Sequence, residues 1–220
     1  MERGRDEGWD RDGLWLKSAP GPLSLVQGFV NTRNVMHGYD LLEDVEGAGT
    51  WLDERGLMNG DVPLTEESRT RLVEFREGLR GLLLVHNGGR VEGSVEVLNE
   101  LAEDALLRLS FDGEGTPGLL AAGSGNASSG VIARLLAVSV GASSEGTWRR
   151  LKACRNEGCL WAFYDGSRNR SGSWCTMDVC GSRAKMRAYR QRKSQREVPE
   201  AVCPPRSDGW RSALNSGHAF

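Results

Sequence analysis

Four of the five cysteines in this chain stand close together, at Cys154, Cys159, Cys175 and Cys180. Their spacing is C-x4-C-x15-C-x4-C, carried by ACRNEGC and SWCTMDVC. Tetrahedral zinc needs four soft or borderline donors at a Zn–S distance near ~2.3 Å, and two close pairs of thiols on a foldable connection supply them. An odd cysteine count, with no apolar leader in the densely charged MERGRDEGWDRDG, argues against a disulfide framework. The spacing excludes a C-x-x-C redox pair. Four thiolates also suit an iron–sulfur cluster, but a catalytic zinc would need an open position that four protein ligands do not leave. The expected cofactor is therefore one structural Zn2+ per chain. The fifth cysteine, Cys203, sits apart in a Pro-rich stretch.

The fifteen-residue connection LWAFYDGSRNRSGSW is expected to form a hairpin that turns at Asp165-Gly166-Ser167, with Trp161 and Phe163 covering the metal. Each four-residue loop must bulge, because the two-residue gap of ordinary zinc knuckles is absent. From Gly181 the chain reads GSRAKMRAYRQRK, which has helical character. Arg183, Arg187 and Arg190 would share one stripe of that helix, with Lys185 on another face, while Arg168 and Arg170 project from the loop. Guanidiniums on rigid elements suit phosphate contacts, and an arginine can read guanine bidentately. These six residues are the candidate nucleic-acid contacts, although a basic helix is more commonly just a solvated face.

The elements that position this site read as a mainly α protein. The chain has 220 residues, 39% hydrophobic and 26% charged, enough for one ordinary domain and a small module. Residues 1–20 look like a flexible lead-in and 194–220 a flexible tail. Between them, 21–148 should be a helical domain and 149–193 the four-cysteine finger, built of a hairpin and a basic helix. SLVQGFVNTRN reads as a short helix or strand. A helix is expected over Asp44–Arg55 (Val45, Ala48, Trp51, Leu52), and a longer one over Thr65–His86 (Leu72, Phe75, Leu79, Leu82, Leu83). Thr65 can cap the latter, and His86, before Asn87-Gly88-Gly89, reads as a helix-end residue rather than a ligand. Further helices are expected over Ser94–Ala105 and Val131–Val140. Leu107, Leu109 and Phe111 alternate with Arg108 and Ser110 before a turn at Asp112–Gly115, which predicts one small β-hairpin. No run of about 18 apolar residues is apparent, so neither a transmembrane helix nor a membrane partner is expected. The expected compartment is a reducing cytoplasm.

Charge is divided sharply. Residues 1–148 carry a net −11, residues 149–196 a net +10, and the remainder −1. Four thiolates with Zn2+ contribute −2, so a loaded finger would keep about +8. An acidic body beside a compact basic module suggests that the module meets a polyanion, unless the two halves simply attract each other.

With these residues in view, the chain resembles bacterial proteins that pair an ABATE domain with a C-terminal CGNR zinc finger, described as stress-induced transcription regulators. The finger segment ACRNEGCLWAFYDGSRNRSGSWCTMDVCGSRAKMRAYRQR carries the resemblance throughout. FVNTRN, the stretch Trp51–Met58, LRGLLLVHNGG and WRRLKAC carry it in the body. It departs at Ser182, where the name-giving CGNR has asparagine, and at Ser171-Gly172-Ser173, a stretch often basic in the family. The resemblance implies a helical N-terminal domain, zinc on the four cysteines and a DNA-binding role.

The leading expectation is a zinc-dependent DNA-binding transcription regulator whose finger contacts double-stranded DNA while the helical domain senses a small-molecule effector or forms a homodimer. A protein-interaction module with a structural zinc staple and an RNA-binding protein are the alternatives. No enzyme is expected: GSGNASSG has the glycines of a phosphate loop but neither its lysine nor its spacing. The body is expected to fold without zinc.

Overall fold

The computed structural model describes residues 17–58, 62–90, 92–122 and 126–196. Cys203, His218, most of the lead-in and tail, and the start of GSGNASSG lie outside the described residues. The chain divides into a larger unit ending at Ala184 and a second beginning at Lys185.

The core of the larger unit is helical. α1 (Leu23–Val30) buries Leu23, Val26, Phe29 and Val30, which resolves the helix-or-strand ambiguity in favour of helix. A two-residue ladder follows, β1 (Arg33–Asn34) against β2 (Tyr39–Asp40). α2 (Val45–Glu54) starts at Asp44, whose carboxylate accepts from the Gly47 N–H at 2.7 Å, and buries Ala48, Trp51 and Leu52. α3 (Glu66–His86) is capped by Thr65, whose hydroxyl accepts from the Ser68 N–H. Its stripe of Leu72, Phe75, Leu79 and Leu83 meets Phe29, and Phe29 in turn meets Trp51, in tilted ring contacts. α4 (Ser94–Ala102) ends three residues sooner than its periodicity suggests, while Ala105 still packs on the core. β3 (Leu107–Phe111) and β4 (Pro117–Ala121) form the expected hairpin, pairing Leu109 with Leu119. The Asp112 carboxylate holds its turn by accepting from the N–H groups of Glu114 and Thr116.

α5 (Ala127–Ser144) starts at Asn126, whose side chain accepts from the Ser129 N–H. This helix is 18 residues long with mean hydropathy 1.3, long and apolar enough to span a membrane on composition alone. In the fold it packs on α1, α3, α4 and β4, and Val131, Ile132 and Leu135 sit in the core.

A single turn of 3-10 helix (Trp148–Arg150) leads into β5 (Leu151–Ala153), which pairs antiparallel with β6 (Ala162–Tyr164). α6 (Ser182–Arg196) closes the described chain and continues from the larger unit into the second. Mainly helical architecture, small hairpins and a C-terminal four-cysteine finger are thus all present.

Leu151, Ala153 and Ala162 belong to the same buried core as α1, α3 and α5. The finger's first hairpin therefore packs into the helical body as one more layer.

Candidate metal centre

The four cysteines form a closed cluster. Their Sγ atoms all lie within 4.8 Å of one another and all four residues are buried. Cys159 and Cys175 are 3.6 Å apart and Cys175 and Cys180 3.7 Å apart, close to the ~3.8 Å edge of a tetrahedron with Zn–S near 2.3 Å. Four sulfurs this close cannot all carry charge unaided. Hydrogen bonds from Cys159 and Cys175 hold the Cys154 thiol at about 2. The bond to Cys154 pushes Cys159 up to about 12, and Cys175 rises further for the same reason. A divalent cation among them is the charge that would let all four ionise together, so the donor set fits zinc.

Local folding explains how the sulfurs converge. β5 delivers Cys154, and the chain reverses at once: the Cys159 N–H donates to Asn156 O at 2.7 Å, and the Cys154 N–H to Trp161 O at 2.9 Å. Just past the loop, Leu160 turns the chain with a φ of +54°, rare for a side-chain-bearing residue. The hairpin thus lies across the first cysteine pair rather than between the two pairs, because the reversal is short enough for β5 and β6 to pair beside it. Cys180 lies in a widened helical turn, Met177–Gly181, capped by the Thr176 hydroxyl, which accepts from the Val179 N–H. Asn156 Nδ2 approaches Cys180 Sγ at 3.4 Å, an outer hydrogen bond to a candidate ligand. Trp161 and Phe163 are buried among the cysteines as their spacing suggests, with Met36, Trp174 and Val179 at the rim.

Asp165 is not a hairpin turn residue but a buried anchor. Its carboxylate accepts from Lys152 Nζ at 2.8 Å and from the N–H groups of Ser167 and Gly172. Burial raises its pKa, and these donors, Lys152 foremost, more than offset that and hold it far below the usual carboxylate range. Lys152 also donates to Arg170 O and Gly172 O, so a buried ammonium spends all three protons on this loop. Arg150 donates to Asp165 O and Ser167 O. The loop that carries Arg168 and Arg170 is consequently fixed from beneath, and both arginines are exposed on it.

Arg183 is exposed in the first turn of α6, its Nη1 3.7 Å from Met36 Sδ. In the second unit, Lys185, Arg187 and Arg190 are exposed along α6.

Sequence reasoning missed the buried arginines and the residues that tie finger to body. Arg76 is fully buried and forks onto Asp40, with N···O distances of 2.5 and 2.8 Å. Arg80, also buried, donates to Val30 O at 2.6 Å, to Leu160 O at 3.0 Å and to Glu77 Oε2 at 2.9 Å. Burial depresses the Arg80 pKa, which Glu77 opposes. Asn31 exchanges two hydrogen bonds with the backbone of Ala162, in the manner of a strand partner. Asn87 donates to Ala153 O and Ser173 O, and His86 Nδ1 meets Leu151 O at 2.9 Å, a helix-end role as its position suggests. Lys17, in the stretch read as lead-in, accepts from the Tyr164 N–H. A signal was present for the arginines: positions 76 and 80 fall within the apolar stripe of α3, where a charge needs a buried partner.

A helical body joined to a buried four-cysteine finger with an exposed basic helix defines a zinc-finger protein of two parts. Residues 150–193 match the CGNR zinc finger, and residues 23–143 match ABATE, described as "Putative stress-induced transcription regulator". The chain belongs to the ABATE family and carries a CGNR zinc finger at its cysteine cluster. Neither family description names an enzyme. No curated protein matches the chain.

Proposed function

We propose that the protein is a zinc-dependent DNA-binding transcription regulator, acting in the cytoplasm, where a bacterial chromosome lies. One structural zinc per chain would be held by Cys154, Cys159, Cys175 and Cys180. The observation that carries the reading is the buried sulfur cluster set in a segment of net charge +10 that also carries exposed arginines. Arg168, Arg170, Arg183, Lys185, Arg187 and Arg190 are the proposed contacts, Arg183 the base reader, because it follows the cysteine turn directly. The helical body would sense an effector or oligomerise. Single-stranded RNA is less well served: of the aromatics that could stack on bases, Trp161 is buried among the cysteines and Tyr164 and Trp174 are only partly exposed.

The test is binding to duplex DNA, single-stranded RNA and an acidic peptide across a salt series. Phosphate contacts release counterions, so log K for duplex should fall linearly with log salt, about −0.9 per phosphate neutralised. With Arg183 reading a base, the other five cations set a ceiling of roughly −4 to −5 for one finger. Replacing a phosphate-contacting arginine by alanine should reduce the slope by about 1 and weaken all sequences alike. Unchanged duplex affinity and slope in Arg183→Ala and Arg187→Ala would leave the basic helix a solvated face and favour the protein-interaction reading.

A further inference from the structure

The β3–β4 hairpin has one closed edge and one open edge. The Ala122 N–H donates to Leu106 O and the Asp112 N–H to Thr116 O, so even-numbered residues of β3 point their backbone groups at β4. By alternation, Leu107, Leu109 and Phe111 point theirs outward, and so do Pro117, Leu119 and Ala121 on the far side. The β4 edge is protected: Pro117 has no N–H to offer and the strand packs on α5. On the β3 edge, among the described residues, no hydrogen bond is made to the outward groups of Leu107, Leu109 and Phe111.

That open edge is also apolar. Leu109 is 64% exposed and Phe111 66%, side by side on one face of the hairpin, whereas Leu106 and Leu120 lie on the opposite face. Leu109 and Phe111 leave on the order of 300 Å2 of apolar surface, the size of an ordinary largest patch on a monomer. A lysine or a bulge is the usual guard on such an edge, and LRLSF has neither at its outward positions.

We propose that the partner of this edge is a second copy of the chain, paired β3 to β3 across a two-fold axis at Leu109. The register follows from the pattern of outward groups. Antiparallel pairing centred on Leu109 sets Leu109 opposite Leu109 of the second copy and Leu107 opposite Phe111. These three positions are the ones whose N–H and C=O face outward, so every outward group finds a partner. Arg108 falls opposite Ser110 of the second copy, so no like charges meet across the ladder. The Leu107, Leu109 and Phe111 side chains share one face and would form a continuous apolar strip over four strands. Because Pro117 and α5 close the other edges, pairing stops at two copies rather than growing into a filament. The apolar patch covers roughly a third of the ~800 Å2 per partner of a standard interface, so the backbone ladder carries most of the contact and the dimer falls at the weak end.

Sedimentation velocity over about 1–300 µM should show a monomer–dimer equilibrium with Kd on the order of 1–100 µM. Leu109→Lys and Phe111→Lys should each abolish it at every concentration while far-UV circular dichroism stays unchanged, since both side chains are exposed. In a Cys203→Ser background with zinc present, Leu109→Cys should be captured as a covalent dimer by a short bismaleimide. Leu120→Cys, off the axis, should be captured at least ten times more slowly. A wild-type chain that is monomeric at 300 µM overturns the proposal. So does a dimer that survives both lysines, or equal capture at 109 and 120. None of these outcomes depends on DNA binding, so the inference and the regulator reading fail separately.

Discussion

Removing the metal should unfold far more than the finger. Seven side-chain hydrogen bonds run from α1, α3 and the turns after them to the finger backbone at Leu151, Ala153, Leu160, Ala162 and Ser173. At about 1 kcal/mol net each, they couple body to finger by ~7 kcal/mol. Burial of Leu151, Ala153 and Ala162 in the shared core adds about 3 kcal/mol. That total is comparable to the whole stability of an ordinary domain, about 5–15 kcal/mol. The metal site itself contributes on the order of 10–16 kcal/mol where it folds a finger at neutral pH. The body is therefore expected to lose helix when the finger loses zinc, contrary to the independence that the sequence alone suggests. Far-UV circular dichroism during chelator titration, followed by urea unfolding, measures this. We expect coincident loss of helical and tryptophan signals, or a urea midpoint lowered by about 2 M or more. A chelated protein whose body keeps its helicity and its midpoint would refute the coupling and restore an autonomous body.

Metal analysis should find one zinc per chain, unchanged in Cys203→Ser and lost in Cys175→Ser; iron with sulfide would overturn the zinc assignment. Arg80→Met should cost about 3–5 kcal/mol by urea unfolding, because it strips Val30 O and Leu160 O of a donor and leaves Glu77 with a weaker cationic partner. His86 titrates below its ordinary 6.5, chiefly through burial and then through nearby Arg149 and Lys152, against which the Leu151 bond works. Its contribution is therefore complete above about pH 6.5 and is lost as the pH falls toward the folded value. Urea midpoints from pH 8 to pH 5 should decline in the wild type and flatten in His86→Gln; parallel curves would assign the decline to other groups.

Elements with a strong period were legible. α2, α3 and the β3–β4 hairpin stand where Asp44, Thr65 and the Asp112–Gly115 turn put them, because caps and turns act through local bonds that a sequence displays. The cysteine cluster was legible for the same reason: four identical ligands at mirrored spacing have few other uses. The hairpin in the finger was misplaced because Asp165-Gly166-Ser167 has good turn chemistry. Nothing local reveals that Asp165 will be claimed by Lys152, thirteen residues earlier, and buried. Buried polar pairs satisfy each other at long range, so each partner by itself looks like a surface residue.

The same logic explains why the body and the finger are recognised together. FVNTRN contains Asn31, which clasps Ala162, and Thr32, which accepts from Arg76. LRGLLLVHNGG contains Arg80, His86 and Asn87, each bonded to a finger carbonyl, and Gly88, whose own carbonyl accepts from Arg155. WRRLKAC contains Trp148, edge-on to His86 at 5.4 Å, and the strand that receives those bonds. FVNTRN and LRGLLLVHNGG are thus body stretches that meet the finger, and WRRLKAC is the entry to the finger that they meet. A short strand pair such as β5–β6 cannot satisfy its outer backbone groups or bury its inner face by itself. Asparagine, arginine and histidine side chains from α1 and α3 do so here, in place of further strands. Those side chains hold the strands that flank Cys154 and Cys159, so the first cysteine pair is positioned by the helical body as much as by its own loop.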